Sequence, residues 1–81
     1  MTVNDMIKTI GYTQNKLNYF IINIFEPKTD RWIRIKQPTS DEYIYLCDRE
    51  VFEWMIEDSN TISITIYAKS DDMEIFYDQI V

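Results

Sequence analysis

The side chains that could carry chemistry in this chain are mainly carboxylates, because its 81 residues include no histidine and a single cysteine. Histidine is the most common general base and the most common ligand for transition metals. The lone thiol, Cys47, therefore has no imidazole to activate it, and a small buried side chain is the expected role. A single cysteine also cannot form an internal disulfide.

Three pairs of adjacent acids could suggest a site for a hard cation. The pairs are Asp41-Glu42, Glu57-Asp58 and Asp71-Asp72. They lack the alternating acidic spacing and the turn glycine of a calcium loop, and the one glycine of the chain cannot build a phosphate loop. We therefore expect no catalytic residue, no metal and no cofactor. A small carboxylate enzyme is the remaining catalytic alternative, although so short a chain has little room for both a core and a concave pocket.

The elements that must position these acids follow from the hydrophobic spacing. Apolar residues at helical intervals predict a short N-terminal helix, with Thr2 and Asp5 as a capping box and Gly11 at its end. Alternation of apolar and polar residues predicts two antiparallel hairpins. Their strands are residues 17–25 with 31–36, and residues 51–56 with 61–67.

Two of these strands carry further information about their faces. Strand 17–25 is apolar on both sides, which indicates a central strand covered on both faces. In strand 51–56, strict alternation places Phe52, Trp54 and Ile56 on the same face.

Residues 37–50 fit two structures. Thr39 and Glu42 have the spacing of a capping box, which favours a short helical turn after Pro38. Residues 43–47 also have the composition of a strand. We favour the helical turn, and the strand remains the alternative interpretation.

The last segment predicts a helix that packs through one apolar stripe. Ser70 or Asp71 can cap this helix, and Asp71 with Glu74 has capping-box spacing. The stripe consists of Met73, Phe76, Tyr77 and Ile80. The predicted fold is thus one α+β domain over residues 1–81. It has a short N-terminal helix, a four-stranded antiparallel sheet made of two hairpins, and a C-terminal helix packed on one face.

The overall charge restricts the classes of partner. The net charge is −6, which disfavours direct binding to nucleic acid or to an anionic membrane and favours a basic protein. No apolar stretch approaches the ~20 residues of a membrane span, and no signal peptide is apparent. We therefore expect a cytoplasmic protein.

The acids are concentrated in the second half of the sequence. Residues 1–40 hold six basic and three acidic side chains, whereas residues 41–81 hold two basic and eleven acidic ones. One interpretation is an acidic surface that keeps the protein soluble. The other is a set of carboxylates that imitates the phosphates of a nucleic acid and binds a basic groove. The candidate partner-binding residues are Asp41, Glu42, Glu53, Glu57, Asp58, Asp71, Asp72, Glu74 and Asp78.

A small basic patch forms a second candidate contact. Trp32, Arg34 and Lys36 alternate on one side of strand 31–36. This patch is either an ordinary exposed hairpin face or a contact with a partner or a second copy, since Trp and Arg are common interface anchors.

Three stretches of the chain resemble small acidic accessory proteins of phages and prophages in low-GC Gram-positive bacteria. Residues 1–7 (MTVNDMI) look like the start of many such proteins. Residues 41–51 (DEYIYLCDREV) look like their EEYLDREV segment with two residues inserted, and residues 57–62 (EDSNTI) look like their EDNTL turn. Together these stretches cover about a third of the chain. Several anti-CRISPR and other anti-defence proteins share this size, acidity and α+β composition.

The resemblance implies an inhibitor of a host defence nucleoprotein, acting in the cytoplasm of a bacterial host. The resemblance identifies no contact residues in this chain, so the acidic sites named above are inferred from charge alone. The leading hypothesis is a phage-type inhibitor that binds a basic, nucleic-acid-binding defence protein such as a CRISPR effector by imitating DNA. The alternative is a non-enzymatic structural or assembly protein that acts through homo-oligomerisation.

Overall fold

The structure is a computed structural model that describes residues 1–11, 19–58 and 61–81. Its helical elements are α1 (Val3–Met6), which continues as a π-helical segment (Ile7–Gly11), α2 (Ser40–Leu46), α3 (Asp72–Ile75) and a 3-10 turn (Tyr77–Gln79). Its strands are β1 (Tyr19–Glu26), β2 (Arg31–Lys36), β3 (Val51–Asp58) and β4 (Thr61–Tyr67). The predicted strand at residues 17–25 therefore begins at Tyr19 within the described part, and its first two residues lie outside that part.

The four strands form one mixed sheet in the order β2-β1-β4-β3. The two predicted hairpins are present, since β1 pairs antiparallel with β2 and β3 pairs antiparallel with β4. The central strands β1 and β4, however, run parallel, so the prediction of a wholly antiparallel sheet is wrong. The helical connection through α2 explains this result. It returns the chain so that β3 runs in the same direction as β2, and a crossover of this length is what parallel strands require.

Two of the predicted capping boxes are present. At α2, the Thr39 hydroxyl accepts a hydrogen bond from the Glu42 N–H, and the Glu42 carboxylate accepts one from the Thr39 N–H. The same reciprocal pair joins Thr2 and Asp5 at the start of α1. The ambiguous segment is therefore a helix, as favoured. The first N–H groups of a helix have no intrahelical partner. Each box supplies side-chain acceptors for two backbone N–H groups at such an end.

One face of the sheet carries the hydrophobic core. Its buried side chains come from every second position of three strands: Ile22, Ile24, Ile33, Ile35, Ile62, Ile64 and Ile66. Val3, Met6, Leu46 and Phe76, from the N-terminal, middle and C-terminal helical regions, belong to the same cluster. We call this side the helical face and the opposite side the open face.

The open face corrects the prediction that β1 is covered on both sides. Ile21 is buried there, but Asn23 and Phe25 remain partly exposed. The helical residues of the main core cluster lie with the isoleucines of the opposite face. Among the described residues, the ring contacts of Phe25 come from side chains of the neighbouring strands.

A β-bulge changes the faces predicted for β3. The register with β4 shifts between Val51 and Glu53, so two successive side chains fall on one side of the sheet. Phe52 consequently stacks on Tyr67, with ring centroids 4.1 Å apart, on the open face. Trp54 and Ile56 stand opposite Ile64 and Ile62 and lie on the helical face. Phe52 is therefore not on the side of Trp54 and Ile56 that strict alternation predicted.

The C-terminal segment is shorter and less regular than predicted. It forms a single α-helical turn, α3, followed by the 3-10 turn, and Ile80 forms an antiparallel bridge with Ile33 instead of continuing a helix. Asp71 stands at the N-cap but makes no side-chain capping bond. Phe76 is buried as expected, whereas Tyr77 is exposed. The predicted burial of the apolar stripe is therefore confirmed for Phe76 and wrong for Tyr77, because the change to 3-10 geometry alters the residue spacing.

Candidate functional site

Four of the nine candidate acids lie exposed in the helical elements on one side of the sheet. They are Asp41, Asp71, Glu74 and Asp78. We call this set the helical acidic surface. The elements that carry it are neighbours, because the Gln79 side-chain amide donates to the Glu42 carboxylate at 2.9 Å. None of the four forms a salt bridge with another described residue. Their charges therefore face solvent without an ion pair to a cation in the described part of the chain.

Glu42 adjoins this surface through its hydrogen bond with Gln79. One of its carboxylate oxygens accepts the Thr39 N–H at 2.8 Å, and the other accepts the Gln79 amide. The backbone hydrogen bond from Thr39 lowers the pKa of Glu42 and outweighs the opposing effect of burial. Glu42 thus stays ionised, but both of its oxygens are already engaged within the protein.

Asp72 is buried, which excludes the predicted direct contact with a partner. Its carboxylate accepts two hydrogen bonds from the Arg49 guanidinium, at 2.9 and 3.0 Å. The Lys69 N–H donates to it at 2.8 Å and the Tyr45 hydroxyl at 3.3 Å. The Arg49 guanidinium also lies 5.1 Å from the centre of the Tyr45 ring. This bidentate pair joins the segment after α2 to the start of α3 and has a structural role.

The pH dependence of stability will report on this pair. Burial of the Asp72 carboxyl opposes its ionisation. The hydrogen bonds from Arg49 and from the Lys69 N–H, together with the charge of Arg49, outweigh this effect and lower the pKa of Asp72 below its ordinary value of 3.8. The ionised pair therefore stabilises the fold fully above pH 3.8 and loses this effect as the pH falls through the lower folded-state pKa.

We expect the stability difference between the wild type and Asp72→Asn to be largest near neutral pH and to shrink as the solution is acidified below about pH 4. Urea unfolding at a series of pH values measures it. The exposed acid Asp78 provides the matched control, as Asp78→Asn should change stability little at any pH. A difference for Asp72→Asn that does not vary with pH would contradict this account.

The remaining candidate acids, Glu53, Glu57 and Asp58, lie on the edge strand β3 and are exposed. Both oxygens of Glu57 accept hydrogen bonds from the same nitrogen of Arg34, at 2.8 and 3.0 Å. Arg34 also donates to the side chain of Asn23, which donates to Ser63 at 2.6 Å. This polar chain spans the open face from β2 to β3. It neutralises Glu57 with a residue of the basic patch, so these two predicted contacts belong to one internal arrangement.

The basic patch adjoins a row of aromatic rings that the sequence did not predict. Trp32 packs on Phe25 with ring centroids 4.5 Å apart, and Phe25 lies 6.5 Å from Tyr67, which stacks on Phe52. The row thus crosses all four strands on the open face. Lys36 stands further along β2 and is exposed. We call these four rings the aromatic row.

The aromatic row could not be predicted from the sequence for two reasons. Phe25 and Tyr67 meet only because β1 and β4 pair in parallel, in the register that places them opposite each other. Phe52 joins them only through the bulge. The one available signal was the shared parity of Phe25 and Trp32 across the first hairpin, since a short turn fixes the register of its strands.

A groove of about 520 Å³ lies beside α2 and β1. Its lining residues are Ile7, Phe20, Pro38, Thr39, Ser40, Tyr43 and Ile44. No acid contributes to this lining, and the Tyr43 hydroxyl is already bonded to Asn4 at 2.7 Å. The groove is therefore an apolar surface and not a carboxylate site.

Within residues 1–11, 19–58 and 61–81, no three acidic or cysteine side chains are grouped so as to hold a metal ion. No helix in this described portion is long and apolar enough to cross a membrane. Comparison with protein-family models, curated proteins and solved structures gives no match.

Proposed function

We propose that this protein is a phage-type inhibitor that binds a basic, nucleic-acid-binding defence protein of a bacterial host through its helical acidic surface. The observation that carries the proposal is the exposure of Asp41, Asp71, Glu74 and Asp78 on neighbouring elements without a salt bridge to any described residue. The resemblance to phage accessory proteins supports the choice of partner.

The physical basis of the proposal is competition for a positively charged groove. Carboxylates that face solvent without a local cation can attract and orient a basic partner, which raises the association rate. Charges that are already paired contribute less, since their field is largely cancelled at close range. The contact surface therefore contains neither Asp72 nor Glu57, and both carboxylate oxygens of Glu42 are already engaged within the protein.

An affinity-capture experiment tests this surface directly. The tagged protein is incubated with lysate of a Gram-positive host, and captured proteins are identified by mass spectrometry. We expect one dominant nucleic-acid-binding protein, released by added DNA or RNA and by salt, because the groove and the nucleic acid compete and because salt screens exposed charges. The double variant Asp41→Lys with Glu74→Lys should capture at least about tenfold less of this protein than the wild type does.

The matched control reverses two acids that do not belong to the surface, Glu50, which is exposed, and Glu26, which is partly exposed. The variant Glu26→Lys with Glu50→Lys changes the net charge by the same amount. Capture by this control should stay close to that of the wild type. Equal losses in both variants would show that only net charge matters, and a captured protein that nucleic acid fails to release would rule out mimicry.

The alternative function is assembly through homo-oligomerisation, and the aromatic row is the observation that favours it. Trp32, Tyr67 and Phe52 are all partly exposed on the open face. Large exposed aromatic groups are common at protein interfaces. Light scattering across salt concentrations separates the two functions, because a dimer buried through apolar rings persists at high salt, whereas an electrostatic complex weakens.

A further inference from the structure

The two edges of the sheet differ in how they are covered. At β2, Ile80 forms a bridge with Ile33, and the Val81 N–H donates to the Trp32 carbonyl at 2.9 Å. At the start of β3, the Val51 N–H donates to the Met1 carbonyl at 2.9 Å. Beyond Val51 this cover ends. From residue 52 to residue 57, β4 is the one described segment that forms backbone hydrogen bonds with β3.

This open part of β3 carries an unusual density of large apolar side chains for an edge strand. Phe52, Trp54, Met55 and Ile56 are between 41% and 58% exposed. Proteins commonly protect such edges with charges, bulges or a covering element. Here the two register shifts lie at Val51/Glu53 and Ile56/Asp58, so the backbone between them is regular. An extended segment can therefore add to this edge as a further strand.

The side chains of β3 differ between the two faces of the sheet. Glu53 and Met55 stand opposite Thr65 and Ser63, which places them on the open face. Trp54 and Ile56 lie on the helical face. A strand that adds to this edge thus meets Glu53 and Met55 on one side and two apolar groups on the other. Glu53 forms no salt bridge with any residue in the described ranges.

The charge of the edge decides which kind of strand fits. Two copies pairing through β3 would bring their Glu53 carboxylates to the same edge, and like charges at close range destabilise strand pairing. A basic strand meets no such repulsion, since its cations face the carboxylates. Charge complementarity therefore favours a basic partner over a second copy.

We propose that the β3 edge binds an extended segment of a partner protein in which basic and apolar residues alternate, and that this segment forms a fifth strand of the sheet. The backbone of residues 53–56 supplies the hydrogen bonds. The basic side chains of the segment lie beside Glu53, and its apolar side chains lie beside Trp54 and Ile56. This site is separate from the helical acidic surface and does not depend on the proposed function.

Nuclear magnetic resonance of the isotope-labelled protein tests this binding mode. The probes are two capped peptides of about eight residues, one alternating lysine with valine and the other alternating glutamate with valine. We expect the lysine peptide to shift the amide signals of residues 53–56 and to slow their hydrogen exchange. It should bind about tenfold more tightly than the glutamate peptide, because only its charges complement the edge.

Two variants with the same change in charge locate the site. Glu53→Lys should weaken binding of the lysine peptide about threefold or more, since it replaces an attraction with a repulsion. Asp48→Lys, at an exposed acid outside both the β3 edge and the helical acidic surface, should leave this binding close to that of the wild type. Trp54→Lys should also weaken binding, and it should remain folded because Trp54 is 51% exposed.

Three results would overturn the proposal. The first is equal affinity for the two peptides. The second is a response confined to the helical acidic surface and abolished by Asp41→Lys, which would leave the proposed function intact. The third is a free protein that already forms a dimer by sedimentation, with slow amide exchange at residues 53–56 that Trp54→Lys removes, because a second copy would then occupy the edge.

Discussion

Replacing Arg49 with methionine is expected to lower the free energy of unfolding by about 3–5 kcal/mol. The substitution leaves the Asp72 carboxylate buried without the two charged hydrogen bonds that now compensate its desolvation. Domains of this kind have a total stability of about 5–15 kcal/mol, so the loss removes a large part of it. Equilibrium unfolding in urea at neutral pH measures the change.

The second arginine pair of the chain is the control for this experiment. Arg34 and Glu57 also form an ion pair, but their side chains are 33% and 29% exposed, against 5% and 0% for Arg49 and Asp72. Arg34→Met should therefore cost no more than about 1 kcal/mol. If the two arginine variants were equally stable, burial would not determine the contribution of the pair.

A double substitution separates the cost of an unpaired charge from the cost of lost packing. Arg49→Met with Asp72→Leu removes both charges, so it should recover part of the stability lost in Arg49→Met alone. Recovery should be incomplete, because the Lys69 N–H loses the carboxylate that accepts its hydrogen bond. A double variant less stable than Arg49→Met would show that Asp72 still stabilises the fold without its arginine.

Replacing Ile64 with alanine is expected to lower the free energy of unfolding by about 2–5 kcal/mol. Ile64 lies on the central strand β4, is fully buried and stands between Ile22 on β1 and Trp54 on β3. Its truncation leaves a cavity that neighbouring strands on both sides prevent from closing. Urea unfolding measures the loss, provided that the dependence of the free energy of unfolding on urea concentration is the same in both proteins.

Ile56→Ala makes the same chemical change on the same face of the sheet and serves as the control. Ile56 lies on the edge strand and is 57% exposed, so its truncation should cost less than about 1 kcal/mol. The comparison tests the strand order itself. Equal losses at the two positions would contradict an arrangement in which β4 is central and β3 is an edge.

The parts of this fold that follow from local spacing were predictable from the sequence. The capping box of Thr39 and Glu42 depends on residues three positions apart, and it correctly favoured a helix at α2. The alternation of Ile62, Ile64 and Ile66 with polar residues identified the buried side of β4 because side chains in a strand alternate with a period of two.

The parts that depend on distant partners were not predictable in the same way. Nothing local distinguishes Asp71 from Asp72, yet Asp72 is buried because Arg49 lies 23 positions earlier and meets it in space. The parallel pairing of β1 with β4 likewise depends on the path of the intervening chain. The favoured helix between β2 and β3 indicates that β3 runs in the direction of β2, but it does not determine that β1 and β4 are neighbours.

The candidate site was predictable in its charge but not in its membership. Sequence counting located the acids in the second half of the chain, and four of them form the helical acidic surface. It could not show that Arg34 crosses the open face to Glu57, because that contact requires the order of all four strands. Phe52 was assigned to the opposite side because a bulge leaves no distinct signature in a run of apolar residues.

The parallel contact between β1 and β4 has a consequence for how the protein folds. These strands are separated along the chain by β2, α2 and β3, so the middle of the sheet closes a long loop before it gains its contacts. During synthesis, the first hairpin leaves the ribosome with Ile22 and Ile24 still uncovered, and they wait for β4 to emerge. Folding dominated by such a distant pairing is slower than folding through neighbouring hairpins, and the nascent chain is exposed to aggregation for longer.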